Sequence, residues 1–204
     1  MIKNIIFDID GVLTNLDFCY FNFLRKTYKA FENIKYEDLP VLFPIHPDDG
    51  AFELPSRFSG DFANSPYYCE RPVFEGAMDV LHSLKKKGIN LFTLSAAADP
   101  AKKLKWLEGV FVNIFNAFEF SPIGISKDKA LIGVLEKYSL DKDETIFIDD
   151  RFFNIKSGLR AGVHTVRMQP EFNLPLPEEL SDVKSFKSLT AFEKYIDDIN
   201  NPKL

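Results

Sequence analysis

Cysteine is scarce: Cys19 and Cys69 are the two in 204 residues, and no CxxC spacing joins them. That rules out a disulfide framework and a zinc knuckle, and both residues read as small buried hydrophobes. Long apolar runs are also missing. No stretch approaches the roughly 20 residues that cross a bilayer, and the short run after Lys3 breaks at Asp8. Neither a signal peptide nor a membrane span is expected, and cytoplasmic residence is the default that follows. Basic runs amount to Lys85-Lys86-Lys87 before Gly88, the charged end of an amphipathic helix where cations are favoured. With a net charge of −5, nonspecific binding to nucleic acid or anionic membrane is not expected. His82 and His164 have no partner visible in the sequence and read as structural. There is no internal repeat and no low-complexity tract.

At 46% hydrophobic and 27% charged residues, the chain has the balance of a globular protein, long enough for one sizeable core and an inserted module. After residue 72 helix-like and strand-like segments alternate. Glu75 to Lys87 has helical periodicity, with Ala77, Val80, Leu81 and Leu84 on one side. Ile89 to Leu94 is nearly continuous apolar sequence, as in a strand covered on both faces. Asp99 is placed to cap a helix with Pro100 at its first position, ending near Gly109. A strand is expected near Ile114 to Ala117, a helix from Ser126 or Asp128 to about Tyr138, and a strand at Thr145 to Ile148. Phe152 to Ala161 reads as a helix, Val163 to Met168 as a strand, 170–177 as a loop, and Leu189 to Ile199 as a closing amphipathic helix. This alternation predicts an α/β fold with a parallel sheet. Residues 14–71 break it: they are rich in Phe and Tyr, poor in Gly, and helical in pattern between Leu16 and Phe31.

The most informative segment is Phe7-Asp8-Ile9-Asp10-Gly11-Val12-Leu13-Thr14, which ends the first apolar run. Ile2 to Phe7 reads as a buried strand with two carboxylates at its carboxyl end. Residues two apart on an extended chain share a face, so Asp8 and Asp10 can converge on one ligand. Gly11 allows a tight turn or a close backbone approach. Paired acids repel unless a cation or proton intervenes, so their placement at a buried strand end marks a candidate site. Ligands of such sheets bind beyond the carboxyl ends of the strands, and Asp8, Ser95 and Asp149 all fall there.

These residues resemble the motifs of the haloacid dehalogenase superfamily, in its magnesium-dependent phosphatase branch. The first motif, DxDGV/T, is matched by Asp8-Ile9-Asp10-Gly11-Val12. The second, a Ser or Thr ending the next core strand, is matched by Ser95. For the third, a Lys opening a helix, Lys127 and Lys129 compete; Lys127 is favoured because it stands four residues before Leu131. The fourth is matched by Ile146-Phe147-Ile148-Asp149-Asp150, with Asn154 following. The four occur in the family's order.

The resemblance implies a Rossmann-like three-layer parallel sheet in strand order 5-4-1-2-3, with residues 1–13 and 72–204 as the core and 14–71 as a small, mainly helical C1-type cap. It implies that Asp8 attacks phosphorus and that Asp10 acts as acid and then base. Ser95, with the backbone N–H groups of Ala96 and Ala97, would hold the phosphoryl oxygens, and Lys127 would neutralise charge. Mg²⁺ would be bound by Asp8, the Asp10 carbonyl and the acids Asp149 and Asp150, and Asn154 would orient the coordinated water or the nucleophile, or remain a helix-surface amide. The substrate would be a small phosphorylated metabolite. Asp10 argues against carbon–halogen cleavage, because the family's true dehalogenases lack that second acid. A phosphosugar mutase and a noncatalytic binding protein are the alternatives. The segment Pro44 to Gly50, with a His and two acids that could bind metal, reads as a proline-bounded turn, with a substrate-specificity loop second, and Arg57 and Arg151, which could contact a substrate anion, read as solvated.

Overall fold

The computed structural model describes residues 1–202 apart from 44, 46 and 52–54. Six strands form one sheet: β1 (Asn4–Phe7), β2 (Asn90–Ala96), β3 (Ala117–Ser121), β4 (Thr145–Asp149), β5 (His164–Met168) and β6 (Ser185–Phe186). Their order is β3-β2-β1-β4-β5-β6, with every neighbouring pair parallel. Read from the β5 side, the first five strands give the expected 5-4-1-2-3, and β6 is added at that edge. Two residues are too few to leave a periodic signal, so β6 had none in the sequence.

The alternation of side chains along β1 builds the layers. Ile5 and Phe7 pack on one face with Val80, Leu81, Leu84, Phe192 and Ile196, which belong to helices α4 (Ala77–Lys86) and α8 (Leu189–Asn200). Leu107 of α5 (Pro100–Val110) joins that cluster. Ile6 points the other way, to Leu131 and Val134 of α6 (Asp128–Lys137), with Phe92 and Phe147. Helix α7 (Phe152–Arg160) covers the same face, with Gly158 against Thr165 and Phe147. Burial on both faces explains the near-continuous apolar runs.

The expected strand near Ile114 lies elsewhere. Ile114 is buried in the loop after α5, and β3 runs from Ala117, pairing Phe92 with Ala117 and Ser95 with Phe120. β3 is an edge strand whose Ala117 to Phe120 stretch is only half-buried, so its apolar signal is weaker than that of its neighbours. The cap on α5 is as expected: Asp99 accepts from Lys102 N at 2.9 Å, with Pro100 at the first position.

Between β1 and α4 the described residues form α1 (Leu16–Thr27), the short α2 (Leu39–Leu42), α3 (Ser56–Asn64) and three 3₁₀ turns. This segment has its own core of Tyr20, Phe21, Phe23, Leu24, Leu39, Phe43 and Phe62. The chain leaves and re-enters the sheet domain through adjacent segments, joined by Asn15 N to Pro72 O and Phe74 N to Leu13 O, each 2.9 Å. Cys19 is buried, Cys69 is partly buried, and both are free thiols. Among the described residues no helix is long and apolar enough to cross a membrane.

Candidate active site

Parallel register brings the carboxyl ends of β1, β2 and β4 together. Phe7 pairs with both Thr93 and Ile148, and Asp8 N donates to Ile148 O at 2.9 Å. Asp8, Asp149 and Asp150 are therefore neighbours, each with a carboxylate oxygen within 4.8 Å of the others and all buried. Gly11 makes the turn beyond them with φ of +79°, and a Cβ there would lie 2.5 Å from Asp150 Oδ2. Glycine meets both demands, the positive φ and the close approach.

Lys127 closes the cluster. At the N-cap of α6, its buried Nζ donates to Asp8 Oδ1 and Asp149 Oδ2, each at 2.8 Å, and to Leu94 O at 3.0 Å. Its rival Lys129 is exposed. Burial opposes the Lys127 charge, but Asp149 and Asp8 outweigh it and raise the ammonium above its ordinary value.

The two acids of the fourth motif are not equivalent. Both oxygens of Asp149 are engaged, Oδ2 by Lys127 and Oδ1 by Arg151 N and Asn154 Nδ2, each at 3.0 Å. Asn154 is thus a buried brace for Asp149, not a surface amide. Asp150 accepts from Asn173 Nδ2 at 3.0 Å through Oδ2, while its buried Oδ1 has no hydrogen-bond partner. Burial, then the charges of Asp149 and Asp8, raise the Asp150 carboxyl well above the ordinary carboxylate range. An orphaned buried oxygen amid three acids suits a divalent cation, which would relieve both the repulsion and the missing partner. Of the two acids, Asp150 is the one with an oxygen left for a ligand.

This raised carboxyl fixes the sign of a pH effect. Without metal, folded Asp150 keeps a proton that the unfolded chain has released above about pH 4. Its penalty on stability is absent below that value and grows as pH rises through the folded value. Asp150→Asn is expected to be more stable than wild type in metal-free buffer at neutral pH, with the gain shrinking towards about pH 4. A divalent cation at a hundred times its Kd should stabilise wild type by about 2.7 kcal/mol and the variant far less. Thermal melts across pH, with and without the cation, measure both.

Asp10 stands apart. Its Oδ2 accepts from Lys103 Nζ at 2.7 Å, and Arg71 Nη1 lies 3.0 Å from its Oδ1. The Thr14 hydroxyl is 3.4 Å from the same Oδ1. Burial pushes the Asp10 carboxyl up, but the charges of Arg71 and Lys103 outweigh it and hold it below its usual value. Asp8 and Asp10 leave the same strand end yet face different cations. The Arg71 guanidinium lies over the rings of Tyr68 and Trp106, 4.1 and 4.8 Å from their centroids.

Ser95 is buried, and its Oγ accepts from Lys103 Nζ at 2.8 Å. Ala96 lies beside it, its carbonyl also taken by Lys103 at 2.9 Å. The Ala97 N–H expected to help donates instead to Ser121 O at 3.1 Å, continuing the β2–β3 ladder past the strand. That donor is spent in the sheet. A cleft of about 390 Å³ opens beside Lys127, with Ala96, Ile123, Ile125, Arg151 and Phe153 in its walls. Arg151 pairs with Asp49, whose carbonyl accepts from Phe152 N at 2.9 Å. Arg57 lies over the Phe58 ring and is exposed. His164 meets the Tyr195 hydroxyl at 3.0 Å. The expectation for Pro44 and His46 falls outside the described residues.

Lys103, Arg71 and Asn173 are the site residues that sequence reasoning passed over. For Lys103 a signal existed: it stands four residues before Leu107, on the buried side of α5. For Arg71 and Asn173, both in loops, no periodicity applies.

Residues 2–162 match the profile of the haloacid dehalogenase-like hydrolases, and the chain belongs to that family. Enolase-phosphatase E1 of Naegleria gruberi is 25% identical over 126 residues, covering 59% of this chain and 48% of that protein. The chain thus spans about half the length of that relative. A structure provisionally assigned as a phosphatase from Clostridium acetobutylicum superposes with a TM-score of 0.67 at 18% identity, covering 97% of this chain and 99% of the other. One provisionally assigned as a β-phosphoglucomutase from Thermotoga maritima gives 0.66 at 16% identity, covering 97% and 100%. These structural likenesses establish the shared fold.

Proposed function

We propose that the protein hydrolyses phosphate monoesters of small metabolites through a phosphoryl group carried on Asp8. One observation supports this most: two carboxylates two residues apart are held by separate sets of cations. Asp8 sits with Lys127 and the acid cluster, and Asp10 with Lys103 and Arg71. One is placed to attack and the other to handle protons.

Asp8, held by Lys127, attacks phosphorus in line. A bond forms from its carboxylate oxygen to phosphorus, and the bond to the departing alcohol breaks with its electron pair on oxygen. Asp10 gives that oxygen a proton. In the resting site Arg71 and Lys103 favour the ionised form of Asp10, and the negative charge of an arriving phosphoryl group favours its protonation. In the second step Asp10 takes a proton from water as the water oxygen bonds to phosphorus and Asp8 departs. Ser95 donates its hydroxyl to a phosphoryl oxygen, and Lys127 offsets developing negative charge. Mg²⁺ would be held by Asp8, the Asp10 carbonyl and Asp150, with Asp149 beside them, and would neutralise the phosphoryl oxygens when bound.

Residues 14–71 are proposed to be the cap over this site, with residues 1–13 and 72–204 as the catalytic core. The segment touches the core at the rim through Lys102 Nζ to Ala63 O at 2.6 Å, Leu174 N to Gly50 O at 2.9 Å, and the rings of Tyr36 and Phe172 at 4.8 Å. Covering the site would exclude water from the first step. A cleft of about 390 Å³ suits a small metabolite, not a folded phosphoprotein.

Phosphate release from a panel of small esters, with and without Mg²⁺, tests the proposal. Magnesium-dependent release from at least one ester is expected. No release and no phosphorylated Asp8 would contradict it, and phosphorylated Asp8 without release would point to a mutase.

A further inference from the structure

Lys103 is completely buried, on the first turn of α5, where an unpaired ammonium would be costly. A lysine ammonium has three hydrogens, and three acceptors surround this one: Asp10 Oδ2 at 2.7 Å, Ser95 Oγ at 2.8 Å and Ala96 O at 2.9 Å. It ties the end of β2 to Asp10, in the turn that follows β1. The Ser95 oxygen accepts from Lys103, which leaves its own hydrogen to donate in another direction. Asp10 is fixed through Oδ2 by Lys103, while Oδ1 faces Arg71 and Thr14.

We infer that Lys103 is a positioning residue that aims Asp10 at the departing alcohol oxygen and orients the Ser95 hydroxyl towards the phosphoryl group. The inference rests on the phosphatase reading above. Its consequence depends on the leaving group. An alkoxide departs slowly unless Asp10 delivers a proton on time, whereas para-nitrophenolate departs without one. A misaimed Asp10 therefore slows the first step of alkyl esters more than that of para-nitrophenyl phosphate, whereas its work as base in the second step is the same for both. A lysine that only held the fold together would slow both by the same factor.

The test compares kcat/KM, which reports the steps up to departure of the alcohol and leaves out the second step shared by both esters, for wild type and Lys103→Met, with Mg²⁺, on para-nitrophenyl phosphate and on the best alkyl phosphate from the panel. The alkyl rate is expected to fall by about 10²-fold or more, the range of general-acid catalysis, and the para-nitrophenyl rate by less than about tenfold. Lys103→Met leaves Asp10 short of one buried cation and could fail to fold. The pair Asp10→Asn and Asp10→Asn with Lys103→Met guards against this, because the double variant removes both charges. With no proton donor left to aim, adding Lys103→Met should cost the alkyl rate much less than it does in wild type. Equal losses on the two esters, a smaller loss on the alkyl ester, or a full penalty in the Asp10→Asn background would overturn the inference. Wild type that hydrolyses neither ester would overturn the phosphatase reading and this inference with it.

Discussion

Asp8→Asn is expected to lower magnesium-dependent phosphate release by about 10⁴-fold or more, the scale seen when a nucleophile is removed from a covalent mechanism. The amide keeps the shape of the side chain but cannot carry the phosphoryl group through a labile acyl phosphate. Stability should not suffer. Lys127 keeps Asp149 as a partner at 2.8 Å, and one of three clustered buried acids loses its charge. Metal-free Asp8→Asn should therefore melt at or above the wild-type temperature. Steady-state rates with calorimetry of the same sample separate the two effects. A variant that melts normally yet keeps more than about a hundredth of the activity, well above the loss expected for a nucleophile, would remove Asp8 from its proposed role.

Lys127→Met is expected to damage both activity and fold. The variant leaves Asp8 and Asp149 buried without their shared cation, and breaking a buried ion pair on one side costs about 3–5 kcal/mol. The loss should depend on pH. Well below about pH 4 the aspartates of the unfolded chain are protonated too, so the penalty is small. It grows as pH rises and the unfolded chain releases protons that the folded site must keep. Activity should fall by about 10³-fold, comparable to removing one donor aimed at developing negative charge. Lys129 is exposed, so Lys129→Met should change stability by no more than about 0.5 kcal/mol. Urea denaturation between pH 4 and 8 on the two variants, with kinetics at neutral pH, measures all of this. A larger effect from Lys129→Met would reverse the choice between the lysines.

The core fold was legible because a parallel sheet buried on both faces must be made of short apolar runs. β1, β2 and β4 are such runs, and their carboxyl ends place Asp8, Ser95 and Asp149 together. Lys127 was legible through its spacing from Leu131, which the α6 cap turns into an inward-pointing ammonium. Polar side chains that work from inside a helix or loop were much harder to see. Lys103 sits among Lys102 and Lys105, and charge alone makes all three look solvated; the position of Leu107 on the same side of α5 gave the only hint. Arg71 and Asn173 reach the site from irregular segments, where no period relates sequence position to direction. The Ala97 N–H looked available because the expected strand stopped at Leu94, but the ladder with β3 extends far enough to use it. The separate environments of Asp8 and Asp10 were also hidden, since the two-residue period put both on one face and could not show which cations they meet.

Whether Asp8 carries the phosphoryl group is read by peptide mass analysis of enzyme quenched in acid during turnover with Mg²⁺ and a hydrolysed ester. One added phosphoryl group is expected on the peptide containing Asp8 in wild type, and none in Asp8→Asn. A phosphoryl group on another residue, or turnover at full rate with Asp8 never modified under rapid quench, would contradict it.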